Sequence, residues 1–151
     1  MIAQIAISIA ALFGVFQIFR DILILSRGII FFQLIAIVLT FIQVPVIKTI
    51  GFYTFGALLF MVLIYLIIQK LDVLAKTLML FITAPVLICF IFKMNHWPHV
   101  FELSLMMIVP IILYLILIAR KFNVKNEIGF LTIITTQAAI EFSANVLYWL
   151  D

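Results

Sequence analysis

The sequence predicts an all-α, polytopic transmembrane bundle of about six helices with no soluble domain. Of its 151 residues, 68% are hydrophobic and 10% are charged, whereas a soluble domain is about half apolar and roughly a quarter charged. The apolar residues form long runs, such as residues 56–68, without the alternation that a membrane β-barrel requires. Because a helix needs roughly 20 apolar residues to cross a bilayer, the chain has room for six crossings and short connectors.

Charged and turn-forming residues divide the chain into its elements. We expect spans at about residues 2–19, 28–47, 51–69, 73–92, 99–119 and 127–149. The connectors between them then lie near residues 20–27, 48, 70–72, 93–98 and 120–125. The first span carries several polar side chains, and if it did not cross the membrane only the N-terminus would change sides.

The basic residues predict the orientation, because Lys and Arg near helix ends are retained on the cytoplasmic side. Seven of the nine lie in the first, third and fifth connectors or about one helical turn from them, whereas Lys48 and Lys93 lie on the opposite side. We therefore expect both termini, and the connector that contains Lys93, on the non-cytoplasmic side. Scattered charges of this kind do not favour nucleic-acid binding, which requires a basic face.

Polar and aromatic side chains are concentrated at the fourth connector: Lys93, His96, Trp97, Pro98, His99 and Glu102. Pro98 suits the first turn of the fifth helix, which Asn95 or His96 could cap. Trp97 and Lys93 would then anchor this connector at the membrane surface. As an alternative, the spacing of His96, His99 and Glu102 would suit a divalent-metal site or a proton relay. Because no fourth ligand is evident, we expect no bound metal, no cofactor and no catalytic site.

Residues 80–120 resemble a known membrane hairpin. Residues 92–98 read Phe-Lys-Met-Asn-His-Trp-Pro. Two spans joined by Phe-Lys-x-x-His-Trp-Pro-Gly are typical of the GldL-like subunits of gliding motility and type 9 secretion and of related small membrane proteins. The resemblance implies a bacterial cytoplasmic membrane, a connector outside it and a role in an envelope complex. Two positions differ from the family: His99 replaces a glycine, and Tyr114 stands about where the motor proteins have an intramembrane glutamate.

The last span holds the strongest indication of function. Glu141 lies near its middle, with Gln137 and Asn145 one turn away on either side, so the three form a polar stripe. An ionised carboxylate in hydrocarbon costs roughly 2.5 to 3.5 kcal/mol, and this one should therefore face protein or water. Small neighbours such as Ala138 and Ser143 favour an interface between helices. A proton or cation carrier is the alternative.

Two further patterns concern helix shape. Pro85 and Pro110 fall near the middle of spans four and five, where each removes a helix hydrogen bond and permits a kink. Residues 27–70 and 76–121 look like related hairpins, in which Tyr65 aligns with Tyr114 at an offset of 49. The identities between them are few and close to what so biased a composition gives by chance.

These features lead to three alternative hypotheses about function. The leading hypothesis is a non-catalytic subunit or assembly factor that contacts protein partners in the membrane through the last helix and the fourth connector. The second is a small transporter or channel in which Gln137, Glu141 and Asn145 line the path. The third is a membrane-surface enzyme that uses His96, His99 and Glu102. No phosphate-binding loop, nucleophile elbow or paired-cysteine motif supports other enzyme classes.

Overall fold

The computed structural model describes residues 2–20 and 23–150, with side chains described for 5–20 and 23–147, and this part of the chain consists of helices joined by short turns. Residues 21 and 22, which belong to the first predicted connector, lie outside this part. The helices of the described chain are α1 Ile2–Ile18, α2 Ile24–Phe41, α3 Pro45–Ile68, α4 Val73–Met94, α5 Val100–Leu105, α6 Ile108–Ala119 and α7 Ile128–Leu150. The predicted all-α bundle of about six spans is confirmed.

Five stretches of the described chain are long and apolar enough to cross a membrane: α2, α3, α4, α5 with α6, and α7. α1 has 17 residues. At 1.5 Å per residue it is about 25 Å long, which is near the lower limit for a crossing. Large apolar side chains such as Leu12, Ile68 and Phe81 are exposed on the outside of the bundle. Such a surface is suited to lipid, and the chain is a multi-pass membrane protein.

α7 lies at the centre of the arrangement and packs against α1, α2, α4, α5 and α6. It runs antiparallel to α1, because Gly14 of α1 faces Ile133 whereas Gln17 faces Gly129. The first residues of α1 and the last residues of α7 therefore share one end of the bundle. The turn after α4 points toward this same end, since Lys93, near the end of α4, contacts Glu141 in the second half of α7.

The turn between the second and third spans lies earlier than predicted. α2 ends at Phe41 and α3 begins at Pro45, so Lys48 is the fourth residue of α3 and not a connector. Proline suits the first position of a helix, and it forces the preceding residue out of the helical conformation. Val44 is accordingly extended, with φ −80° and ψ 118°. The predicted boundary between these two spans, from residue 47 to residue 51, was wrong for this reason, whereas the predicted end at residue 69 lies one residue from the end of α3.

The fifth span is divided into α5 and α6 around residues 106–107, one turn before Pro110. Proline has no N–H to donate to the carbonyl of Met106, and its ring excludes that carbonyl from helical geometry. The chain tightens here: Met106 N–H donates to Leu103 O and Met107 N–H to Ser104 O, both at 3.1 Å. α4, by contrast, continues without interruption through Pro85.

Candidate functional site

Glu141 of α7 forms an ion pair with Lys93, the penultimate residue of α4. The Lys93 Nζ lies 2.7 Å from Oε1 and 3.0 Å from Oε2 of the carboxylate. The side chains are 20% and 43% exposed for Glu141 and Lys93. The carboxylate is thus held toward the end of α4 and is not isolated in hydrocarbon. From the sequence, these two residues belonged to separate features, the stripe and the connector.

The rest of the polar stripe bonds within α7. Gln137 Nε2 donates to Glu141 Oε1 at 3.1 Å, whereas Asn145 Nδ2 donates to the backbone oxygen of Glu141 at 2.7 Å. On the other side of the ion pair, the Lys93 ammonium lies 6.0 Å from the centroid of the Phe52 ring, within the range of a cation–π contact. Glu141 is therefore the point at which α4 is tied to α7, beside an aromatic side chain of α3.

The turn that follows α4 is a Schellman motif, in which a left-handed residue ends the helix. His96 is that residue, with φ 51°. The Trp97 N–H donates to Phe92 O at 3.0 Å and the His96 N–H donates to Lys93 O at 3.3 Å. The rings of Phe92 and Trp97 meet edge to face at 4.9 Å. The Phe, His and Trp of the connector therefore end α4 and make this turn rigid.

Two expectations about this connector were wrong. α5 begins at Val100, so Pro98 lies before the helix and not in its first turn. The N-cap residue of α5 is His99, whose side chain makes no capping hydrogen bond. Asn95 caps α4, and its Nδ2 donates to Ile91 O at 2.8 Å. The physical reason is that the Schellman turn uses residues 95–97 to close α4. His99 also has a left-handed backbone, φ 69°, which is a conformation that glycine adopts without steric cost.

The structure brings together only part of the proposed metal-binding set. His99 Nδ1 lies 3.3 Å from Glu102 Oε1, and both side chains are largely exposed, at 71% and 65%. His96 does not join them: the described residues contain no group of three His, Cys, Asp or Glu side chains that could hold a metal ion. The geometry therefore gives no support to the metal-dependent enzyme.

A second polar cluster lies at the opposite end of the bundle, and the sequence analysis missed it. The Tyr65 hydroxyl donates to Glu127 Oε1 at 2.9 Å, and Glu127 is only 1% exposed. Nearby, Ser26 Oγ donates to the backbone oxygen of Asn126. These bonds join α2 and α3 to the start of α7. The sequence did not single out Glu127, because it lies at the end of a predicted span, where an acidic residue is expected.

The alignment of Tyr65 with Tyr114 at an offset of 49 was the feature of the sequence that could have pointed to this cluster. Tyr114 of α6 also bonds to α7, through a hydrogen bond between its hydroxyl and Thr132 Oγ1. Both tyrosines therefore attach their hairpins to the first part of α7.

Tyr65→Phe is expected to lower the free energy of unfolding by about 1 to 2 kcal/mol, because the buried Glu127 carboxylate loses a donor. Tyr114→Phe is the matched control and should cost less, since Thr132 is half-buried and also donates to Ile128 O at 2.6 Å. SDS-induced unfolding in detergent, followed by circular dichroism, measures both. An equal or larger loss for Tyr114→Phe would contradict the assignment.

Unpartnered polar atoms lie in the interior between these clusters. Gln33 of α2 is fully buried, and neither its Oε1 nor its Nε2 has a hydrogen-bond partner among the described residues; the same holds for Thr135 Oγ1 of α7. A separate small cavity of about 60 Å³ has Thr40 and Gln137 in its lining but neither Gln33 nor Thr135. Such groups cost free energy unless water reaches them.

Comparison with protein families, with curated proteins and with solved structures gave no match to this chain. Its function therefore has to be inferred from its own residues.

Proposed function

We propose that the protein is a non-catalytic subunit or assembly factor of a larger complex in a bacterial cytoplasmic membrane. The 95–99 turn would face outward, with both chain termini on that side. The distribution of basic residues supports this orientation. The resemblance of residues 92–98 to GldL-like hairpins supports an envelope complex.

The rigid, exposed turn after α4 is the observation that carries the proposal. Its Schellman geometry and the ion pair between Lys93 and Glu141 hold it against α7. Trp97 remains 49% exposed although it packs on Phe92, and the side chains of His99 and Glu102 are also largely exposed. Tryptophan is enriched at the energetically important positions of interfaces, and a preformed element loses little entropy on binding. The turn therefore has the properties of a docking element.

The state of Glu141 also supports a structural role. A carrier group has to exchange its proton or cation, whereas this carboxylate is held by a lysine and a glutamine. In this proposal Glu141 fixes the turn relative to α7, and the C-terminal half of α7 would contact the partner.

Affinity purification in a mild detergent, with quantitative mass spectrometry of the retained proteins, tests the proposal. We expect a partner in stable stoichiometry, retained several-fold less by Trp97→Ala and by Glu102→Lys. The matched control is Phe19→Ala, which removes an exposed aromatic ring at the other end of the bundle. A lone monomer, or equal retention by all variants, would overturn the subunit role.

Transport is the second candidate function, and the interior polar atoms favour it. Gln33 and Thr135 lie between the two ends of the bundle, and a hydrated path would supply the missing hydrogen-bond partners. In that case Glu141→Gln should abolish proton or cation flux into reconstituted vesicles. Unchanged flux in this variant would exclude a path through Glu141.

A further inference from the structure

An open groove of about 280 Å³ lies between the start of α3 and the end of α4. Its polar lining consists of Lys48, Thr49, Tyr53, Lys93 and His96, and Phe52 contributes an apolar wall. None of the lining residues is acidic. The groove therefore combines cations, hydroxyl groups and an aromatic surface.

The two lysines of the groove differ in their environment. Lys93 donates to both oxygens of Glu141, and an ammonium group with three N–H donors keeps capacity for a further acceptor. Lys48 is exposed, and its ammonium has no hydrogen bond or ion pair among the described residues. Because the charge of Lys93 is neutralised by Glu141, the positive charge of the groove comes from Lys48.

The position of the groove relative to the membrane surface indicates the source of its ligand. Lys48 is the fourth residue of α3 and Lys93 the penultimate residue of α4, so both lie within about one turn of a helix end. Lysines at this level extend toward the membrane surface, where the headgroups lie. Ile50 and Tyr53 on the same part of α3 are exposed on the outside of the bundle. A ligand with a phosphate and an apolar tail would satisfy both surfaces.

We infer that this groove binds the phosphate of an anionic phospholipid. Lys48 is the principal cation, and the Tyr53 hydroxyl and the remaining capacity of Lys93 complete the contacts to the phosphoryl oxygens. The Thr49 hydroxyl, by contrast, already donates to Pro45 O at 2.9 Å. An anionic headgroup is preferred over a zwitterionic one, because Lys48 repels a quaternary ammonium and no unpaired carboxylate lines the groove. Lipid binding in this groove does not require the proposed protein partner, although His96 belongs to both the groove and the docking turn.

Native mass spectrometry of the full chain in detergent, with equal amounts of phosphatidylglycerol and phosphatidylcholine, tests the inference. We expect retained phosphatidylglycerol to exceed phosphatidylcholine, and Lys48→Gln to lower this ratio by about fivefold, the effect of one lysine near an anionic lipid surface. Lys48→Arg should keep the ratio. The matched control is Lys70→Gln, an exposed lysine just beyond the other end of α3, which should also leave it unchanged.

The inference fails if Lys48→Gln leaves the ratio unchanged or if Lys70→Gln lowers it equally. Soluble glycerol phosphate, added in excess, separates the two sources of phosphate: complete displacement of phosphatidylglycerol would show a site for a free anion and overturn the lipid assignment. If Lys48→Gln does not fold, Tyr53→Phe takes its place, since it removes only a hydroxyl of the lining. An unchanged ratio in Tyr53→Phe would then overturn the site.

Discussion

Lys93→Met is expected to lower the free energy of unfolding by about 2 kcal/mol, because it leaves the Glu141 carboxylate without its counter-charge. The estimate is below the cost of breaking a fully buried pair, since the Glu141 and Lys93 side chains are 20% and 43% exposed. Methionine keeps most of the aliphatic volume of lysine, so the variant tests charge and not packing. SDS-induced unfolding in detergent, followed by circular dichroism, gives the change.

The double variant Lys93→Met with Glu141→Gln is the control for this prediction. It removes both charges and should recover most of the lost stability. The exchanged pair, Lys93→Glu with Glu141→Lys, should also unfold later than Lys93→Met alone. If Lys93→Met does not change the free energy of unfolding, or if the added Glu141→Gln does not restore it, the ion pair does not hold α4 to α7 and Glu141 has no such structural role.

Gly51→Ala is expected to destabilise the bundle by about 1 to 3 kcal/mol, the usual cost of overpacking a close contact. A Cβ at Gly51 of α3 would lie 2.8 Å from Leu39 Cβ and 2.9 Å from both Ala36 O and Thr40 N of α2. Two of these atoms belong to the backbone, so no side chain can move aside and the two helices would have to separate. Helix propensity alone predicts the opposite sign, because alanine is favoured over glycine by about 1 kcal/mol.

Gly28→Ala is the matched control, since a Cβ at this position of α2 meets nothing within 4 Å. It should stabilise the bundle by up to about 1 kcal/mol through helix propensity alone. Thermal unfolding in the same detergent compares the two variants. If Gly51→Ala is as stable as Gly28→Ala, α2 and α3 do not approach as closely as described.

The contact at Gly51 also has a consequence for the proposed lipid-binding groove. Lys48 and Phe52, one on each side of Gly51 in α3, line the groove, and Phe52 lies beside the Lys93 ammonium. Separation of α2 from α3 would displace both side chains. We therefore expect Gly51→Ala to weaken phosphatidylglycerol binding as well as stability.

Most of the architecture followed from composition and local signals. Helices of membrane-spanning length follow from apolar runs without alternation, because the bilayer leaves a helix as the only way to satisfy backbone hydrogen bonds within one segment. The interruption of the fifth span was foreseeable at Pro110, since proline acts on its own helix. The start of α3 is also set by a local signal, Pro45, but the prediction placed the boundary at Lys48 instead.

What only the tertiary structure decided is which faces of the helices meet. The ion pair joins residues 48 positions apart, and the bond between Tyr65 and Glu127 joins residues 62 apart. In a soluble helix an apolar stripe marks the buried face, but here both lipid and core are apolar, so the sequence carries little information about helix rotation. The sequence alone determined a helical membrane bundle with one polar stripe in its last helix. The packing determined that Lys93 neutralises Glu141 of that stripe, because only the assembled bundle brings the end of α4 close to Glu141.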